Sequence, residues 1–239
     1  MEKPAAGETL MPARERILDR IRRNLGRTGP LDEKEAATLR ARLDTPRAHL
    51  IPARAQISHA DQIGLFTAKA EALGATVTRL AAESFVPEAV RDYLAAHNLP
   101  MRIKMSPDPA LDRLRFDAVP MLEVTRGTAE LIDTASLTPV FTAIAETGTL
   151  CLVSGRETPS TLNFLPENHI ALVRASEIVG TMEESWARLR ERFGAGKLPR
   201  TVNLVSGPSR TGDIEQMLIM GAHGPRRLHI LIVDDDPEI

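Results

Sequence analysis

From Asp61 onward, short apolar runs of strand length are separated by segments whose apolar residues recur at helical spacing, and this alternation leaves few architectures open. A strand followed by a helix and a further strand crosses over to run parallel, and a parallel sheet has to be covered on both faces. In order, the pattern predicts a helix over 61–73, a strand over 75–80, a helix over 87–97 with Pro87 in its first turn, and a strand over 101–105. Further strands are expected at 119–125, 149–153, 169–174, 201–205 and 228–233. A helix over 177–193 stops at Gly194, and another is expected to open near Thr211. The predicted fold class is α/β, an open and mostly parallel sheet with helices on both faces.

The first fifty residues do not follow this rhythm. Ile17, Leu18, Ile21 and Leu25 fall on one side of a helix whose other side carries arginines. Gly26, Gly29 and Pro30 end it, and a second helix runs from Asp32 to about Leu43, where Thr45 and Pro46 stop it. Residues 46–58 hold two prolines and few periodic apolar positions, which reads as a linker. The expected organisation is a helical N-terminal arm and linker over 1–50 and an α/β domain over 51–239.

A chain with 43% hydrophobic and 26% charged residues can build a sizeable core. Its formal net charge of −2 gives no basic field to gather nucleic acid, so nucleic acid is not an expected partner. The N-terminal stretch lacks the apolar block of a signal peptide, and no run of about 18 apolar residues suggests a transmembrane segment, so a cytoplasmic location is expected. The single cysteine, Cys151, excludes an internal disulfide and cannot supply the four thiolates of an ordinary iron-sulfur cluster. It lies in the run Leu150-Cys151-Leu152-Val153, where a thiol is buried and inert. No phosphate-loop, dinucleotide, HExxH or paired-cysteine motif occurs, so the NTPase, nicotinamide and zinc readings lose support and no metal site is expected.

Three segments carry residues able to do chemistry. In Ala143-Ile144-Ala145-Glu146-Thr147-Gly148-Thr149 a lone carboxylate precedes a buried strand: Glu146 can act as a base, or cap backbone donors in the turn. In Ser206-Gly207-Pro208-Ser209-Arg210-Thr211-Gly212-Asp213-Ile214-Glu215 a strand enters a tight turn and then the helix expected at Thr211. Unpaired N–H groups there, with Ser209, Arg210 and Thr211, would cradle a carboxylate or phosphate, or Thr211 would be an N-cap alone. Thr147 and Gly148 are added as substrate-binding candidates. In Gly221-Ala222-His223-Gly224-Pro225, His223 can reach a ligand or carry a proton, or simply sit at a helix C-terminus. His169 is expected to begin a strand.

Together with Leu165-Pro166-Glu167-Asn168-His169, these segments resemble the LUD (lactate-utilization) family over about residues 119–235. Gly212 departs from the pattern, where alanine is expected, without removing a polar group. The resemblance implies a fold akin to ribose-phosphate isomerases and CoA transferases, with ligands at the carboxyl ends of the strands. It also implies a component of a system oxidising L-lactate to pyruvate, in which companion subunits carry the iron-sulfur clusters and this chain binds no cofactor. Whether it holds a small-anion site or serves as a non-catalytic assembly subunit stays open, as does a stand-alone acyl- or CoA-transfer enzyme by analogy of fold.

Overall fold

The computed structural model describes residues 12–235, apart from 28, 49, 195, 215, 216 and 222. The chain divides into two compact units, residues 1–47 and 48–239. The first holds α1 (Ala13–Asn24) and α2 (Glu33–Asp44). On α1 the residues Ile17 and Ile21 are exposed, as is Leu25 just after it, and no residue of either helix is buried. Asp32 begins α2 by accepting the Glu35 amide at 2.7 Å.

The second unit opens with α3 (His59–Ala72), where Ser58 accepts the Asp61 amide at 3.2 Å. Then come β1 (Thr76–Leu80), α4 (Val86–Ala96), β2 (Arg102–Met105), β3 (Glu123–Arg126) and β4 (Ala135–Pro139). β5 (Thr142–Ile144), β6 (Thr149–Val153), the short α5 (Thr161–Phe164) and β7 (Asn168–Arg174) follow. The chain continues through β8 (Ile178–Val179), α6 (Met182–Phe193), β9 (Val202–Val205), β10 (Arg210–Ile214), β11 (Met217–Met220) and β12 (Arg227–Val233).

Six strands form one sheet in the order β1-β12-β7-β4-β2-β3, and every pair in it is parallel. Two-sided burial explains the near-continuous apolar runs. On β7, Ile170 and Leu172 enter the core under α4 with Val90 and Leu94, while Ala171 and Val173 enter the core under α3 with Ile63 and Phe66. β12 divides its residues likewise, Leu231 and Val233 to one side and Ile230 and Ile232 to the other. The expectation of an open parallel sheet with helices on both faces therefore describes the molecule.

Three details differ from the sequence reading. A second sheet, β8-β5-β6-β9, branches off after β4, and β6 runs antiparallel to both β5 and β9. The segment expected to be one helix over 177–193 spends its start on a turn and on β8, and α6 begins at Met182. The helix expected to open near Thr211 is absent: β10 and β11 form an antiparallel hairpin there, with Thr211 opposite Ile219. A run reading Met217-Leu218-Ile219-Met220 suits a strand as well as a helix, and helical capping residues at 211–215 decided the sequence reading wrongly. No helix among the described residues is long and apolar enough to cross a membrane.

Candidate functional site

In an open parallel sheet the strand connections part company at one place. β2 leads outward to its neighbour β3, whereas β4 leads the other way, through the second sheet, to β7. Connections that leave the carboxyl ends of adjacent strands in opposite directions cannot fill the space between them, so a crevice forms at that switch point. A cleft of about 880 Å³ lies there, bounded by Asp108 after β2, Pro139 to Phe141 at the end of β4, Arg174 and Glu177 at and after the end of β7, the loop after β6, and α6.

Arg174 is held on three sides. Its Nε donates to Glu83 at 2.9 Å, its Nη1 lies 3.4 Å from Glu177 Oε1, and its Nη2 reaches the Ala110 carbonyl at 3.5 Å. Glu177 accepts the Arg174 amide at 2.9 Å, closing the turn after β7. Burial raises the Glu177 carboxyl to about 7, outweighing the opposing pull of Arg174, and Asp235 pushes in the same direction as burial. Asp235 is fixed nearby by the Ser176 amide and hydroxyl, at 2.9 and 2.8 Å. The cleft thus holds a carboxyl group that changes protonation near neutrality.

The mouth is lined by mixed charge. Arg188 donates one guanidinium nitrogen to the Ser176 carbonyl at 2.9 Å, which sets it beside the Glu177 turn. Arg156 and Arg192 also line the cleft and form no ion pair among the described residues; Glu157 and Glu191 stand on the same rim. Asp108 is occupied in accepting the Ala110 amide at 2.8 Å. A ligand carboxylate would be selected by where the guanidinium groups point rather than by a uniform positive field.

The residues singled out from the sequence lie elsewhere. Glu146 is 8% exposed, and its Oε1 accepts the Met182 amide at 2.8 Å, so it caps α6 from 36 positions away. Its Oε2 lies 3.9 Å from Arg54. Gly148 has φ +66°, and a Cβ there would come within 2.6 Å of the Ala70 amide nitrogen. Thr147 is exposed and bonds Thr149 at 2.8 Å, and Thr149 bonds Ser206 at 2.7 Å, which ties this turn to the segment before β10.

In that segment Gly207, at φ +82°, packs against the Leu73 carbonyl, and Arg210 Nη2 donates to the same carbonyl at 2.6 Å. The Ser209 amide bonds the Pro225 carbonyl at 2.8 Å, and the Gly221 amide bonds the Ser209 carbonyl at 2.9 Å. His223 is exposed on that loop. The three segments are therefore linked through hydroxyls and backbone, but Glu146 and Arg210 are spent on the ends of α6 and α3 respectively. Because a hairpin replaces the helix at Thr211, the helix-dipole part of the proposed cradle is corrected: no helix N-terminus stands there.

Among the described residues no group of three or more His, Cys, Asp or Glu is placed to hold a metal ion. Cys151 is buried, and burial pushes its thiol up.

The sequence reading missed Arg174, Glu177 and Arg188. It had placed strands at 101–105 and 169–174. Polar residues at or shortly after those carboxyl ends, Asp108, Arg174 and Glu177, were the available signal once the switch-point rule is applied to them.

An open α/β protein with its cleft at the carboxyl ends of a parallel sheet is the class that these features define. The family model of the LUD domain matches residues 63–233, and the chain belongs to that family. It is 37% identical over 92 residues to the lactate utilization protein C of Shouchella clausii, covering 38% of this chain and 40% of that protein. It is 33% identical over 129 residues to the protein of that name from Geobacillus kaustophilus, covering 54% and 49%. The matches thus span less than half the length of these relatives. A crystal structure of a DUF162 family protein from Deinococcus radiodurans superimposes with a TM-score of 0.53 at 26% identity, over 74% of this chain and 99% of that one.

Proposed function

We propose that this protein is a lactate-utilization component whose carboxyl-end cleft holds a small 2-hydroxy acid of the L-lactate type. The observation that carries the reading is the cleft at the β2/β4 switch point, where Glu177 and the Arg188 guanidinium line the same wall. Arg188, with Arg156 or Arg192, supplies a planar donor fork for the carboxylate. Glu177, held near neutrality by burial, accepts the hydroxyl proton. Oxidation of a 2-hydroxy acid to a 2-oxo acid releases two electrons and two protons. Glu177 takes the hydroxyl proton, and the C2 hydrogen with its electron pair requires a two-electron acceptor, which the companion subunits would supply before their iron-sulfur clusters carry the electrons away singly. The names of the LUD relatives support the metabolic assignment. A single buried cysteine accords with clusters residing on other chains.

A second reading rests on the Thr147-Thr149-Ser206 hydroxyl chain, which joins two of the sequence-predicted segments, and on the Ser209 backbone bonds to Pro225 and Gly221, which tie in the third. It places the anion at Ser209 and Arg210 with Glu146 or His223 as base, or leaves the chain an assembly subunit.

Calorimetric titration with lactate, pyruvate and phosphate separates these readings. Arg188→Ala should weaken lactate binding by one to two decades, the loss of a charge-assisted contact of roughly 1.5–3 kcal/mol. Arg188→Lys should restore part of it. Glu177→Gln should keep binding and lower lactate oxidation in the complex reconstituted with its companion subunits. Wild-type binding by Arg188→Ala together with full activity of Glu177→Gln would overturn the cleft reading.

A further inference from the structure

β1 is an edge strand of the six-stranded sheet, and among the described residues its only strand partner is β12. The Leu80 carbonyl accepts the Asp234 amide at 2.9 Å. By the alternation of a parallel ladder, Thr76, Thr78 and Leu80 turn their backbone groups to β12, while Val77 and Arg79 turn theirs outward. Native edges are commonly guarded by a charge, a proline or a covering element. The one charge on β1, Arg79, is drawn to Asp234 at 2.7 Å.

A groove runs along β1 on each face of the sheet. On one face, about 450 Å³ is bounded by Val77 and by Ala60, Gly64 and Ala68, which follow one another at four-residue spacing on α3. On the other, about 500 Å³ is bounded by Leu80, the half-exposed Phe85, Tyr93 of α4 and His97 just after it, with His229 beside them. Tyr93 stacks on His229 at 4.5 Å and meets His97 at 4.3 Å, so this groove has an aromatic wall. A strand laid against β1 would send alternate side chains into the two grooves.

Arg79 lines both grooves but is paired with Asp234, which leaves the uncompensated charge on their rims negative. Glu71 lines the α3 groove and Glu88 the α4 groove, and neither forms an ion pair among the described residues. Self-pairing of β1 about a two-fold axis normal to the sheet would set each copy's α3 beside the other's α3, and α4 beside α4. Each copy would then meet a neighbour bringing the same unpaired carboxylates to these rims, whereas a basic segment brings the complementary charge.

We propose that the open edge of β1 is a docking site for a partner protein, which adds an extended, lysine- or arginine-bearing segment as a seventh strand. The backbone of Val77 and Arg79 supplies the ladder, the Tyr93 and Phe85 groove takes apolar side chains, and Glu71 on the other face selects the basic ones. This inference does not depend on the cleft.

The test uses the full chain and a labelled hexapeptide of alternating residues, Lys-Val-Lys-Tyr-Lys-Val, followed by fluorescence anisotropy. A Glu-for-Lys version is the control. The basic peptide should bind at least tenfold tighter than the acidic one and slow hydrogen exchange at the Val77 and Arg79 amides. Val77→Pro removes the outward donor without touching the bonds to β12 and should weaken binding at least tenfold. Gly64→Leu fills the α3 groove, where an added Cβ meets nothing within 4 Å, and should do the same in a chain that folds normally. Equal binding of both peptides, no binding of the basic one, or wild-type binding by Gly64→Leu would overturn the proposal. So would a wild-type dimer that Val77→Pro dissociates, which would give the edge to a second copy.

Discussion

The two ends of β7 carry ionisable groups whose protonation is displaced by the same force in opposite directions. At the amino end, His169 is fully buried, and burial lowers its imidazole to about 4. Its Nε2 is 2.7 Å from the Thr138 hydroxyl, and its Nδ1 is buried with no hydrogen-bond partner among the described residues. Just past the carboxyl end, Glu177 is raised to about 7 and lines an open cleft. The size of the displacement does not separate the two, but access does. A neutral, fully buried imidazole serves packing, whereas a carboxyl group facing a cleft beside Arg188 can exchange its proton with a ligand.

The largest effect that would test this contrast lies between the two ends. Ile170 is fully buried at the centre of the α4-side core. Ile170→Ala should cost about 2–5 kcal/mol in urea unfolding, through lost transfer energy and the cavity left behind. If the strand is the common support of both ends, the variant should also weaken lactate binding by loosening the Arg174 turn. A full loss of stability with an unchanged binding constant in the folded fraction would show that the cleft is supported independently.

Glu177→Gln should act on stability with a particular pH signature. A carboxyl group whose folded pKa is raised from 4.5 to about 7 favours folding fully below the unfolded value and loses that contribution as pH climbs through 7. The glutamine variant should therefore match the wild type near pH 4 and exceed it above pH 7, by as much as about 3 kcal/mol. The buried histidines run the other way. His169 and His229, both lowered to about 4, contribute stability that is present above about 6.5 and lost as pH falls towards 4. Thermal melts across pH 4–8 read both slopes, and a variant no more stable than wild type at pH 8 would contradict the burial of Glu177.

Thr138→Val removes the one hydroxyl that the buried His169 ring contacts, leaving both ring nitrogens without a partner. The expected loss is about 1–3 kcal/mol at neutral pH, with lactate binding unchanged. A change in binding would mean that the amino end is coupled to the cleft and that the contrast between the two ends is drawn too sharply.

How much of this was legible in the sequence follows from what each segment had to satisfy. β7 and β12 are buried on both faces, so their apolar runs could be read without knowing their neighbours. β4 was not read, because Ala135-Ser136-Leu137-Thr138-Pro139 mixes small polar residues whose partners come from distant elements, such as Leu162 for Ser136 and His169 for Thr138. The helix expected at Thr211 failed because local capping signals cannot reveal that a hairpin pairs those residues instead. Glu146 was singled out as a base or as a cap for donors in its own turn, whereas the donor it caps, the Met182 amide, lies beyond the reach of any local pattern. Glu177 looked like an ordinary helix-start residue, and only the sheet order gives it a cleft.

Arg210→Ala should have the smallest effect, and it decides between the two candidate sites. The guanidinium donates to the Leu73 carbonyl, the C-cap residue of α3, where a cation satisfies an orphan acceptor at the negative end of the helix. Its side chain is exposed, so removing it should cost only about 0.5–1 kcal/mol. Gly74 lies directly beneath, and a Cβ there would strike Arg210 Nη2, which fits a side chain folded down onto the turn rather than extended towards a ligand. Titration of Arg210→Ala with lactate, pyruvate and phosphate should reproduce the wild-type constants. If one of these anions loses a decade of affinity while the Arg188→Ala constants stay at wild-type values, the Ser209 and Arg210 segment is the anion site, and the comparison of the two ends of β7 loses its functional half.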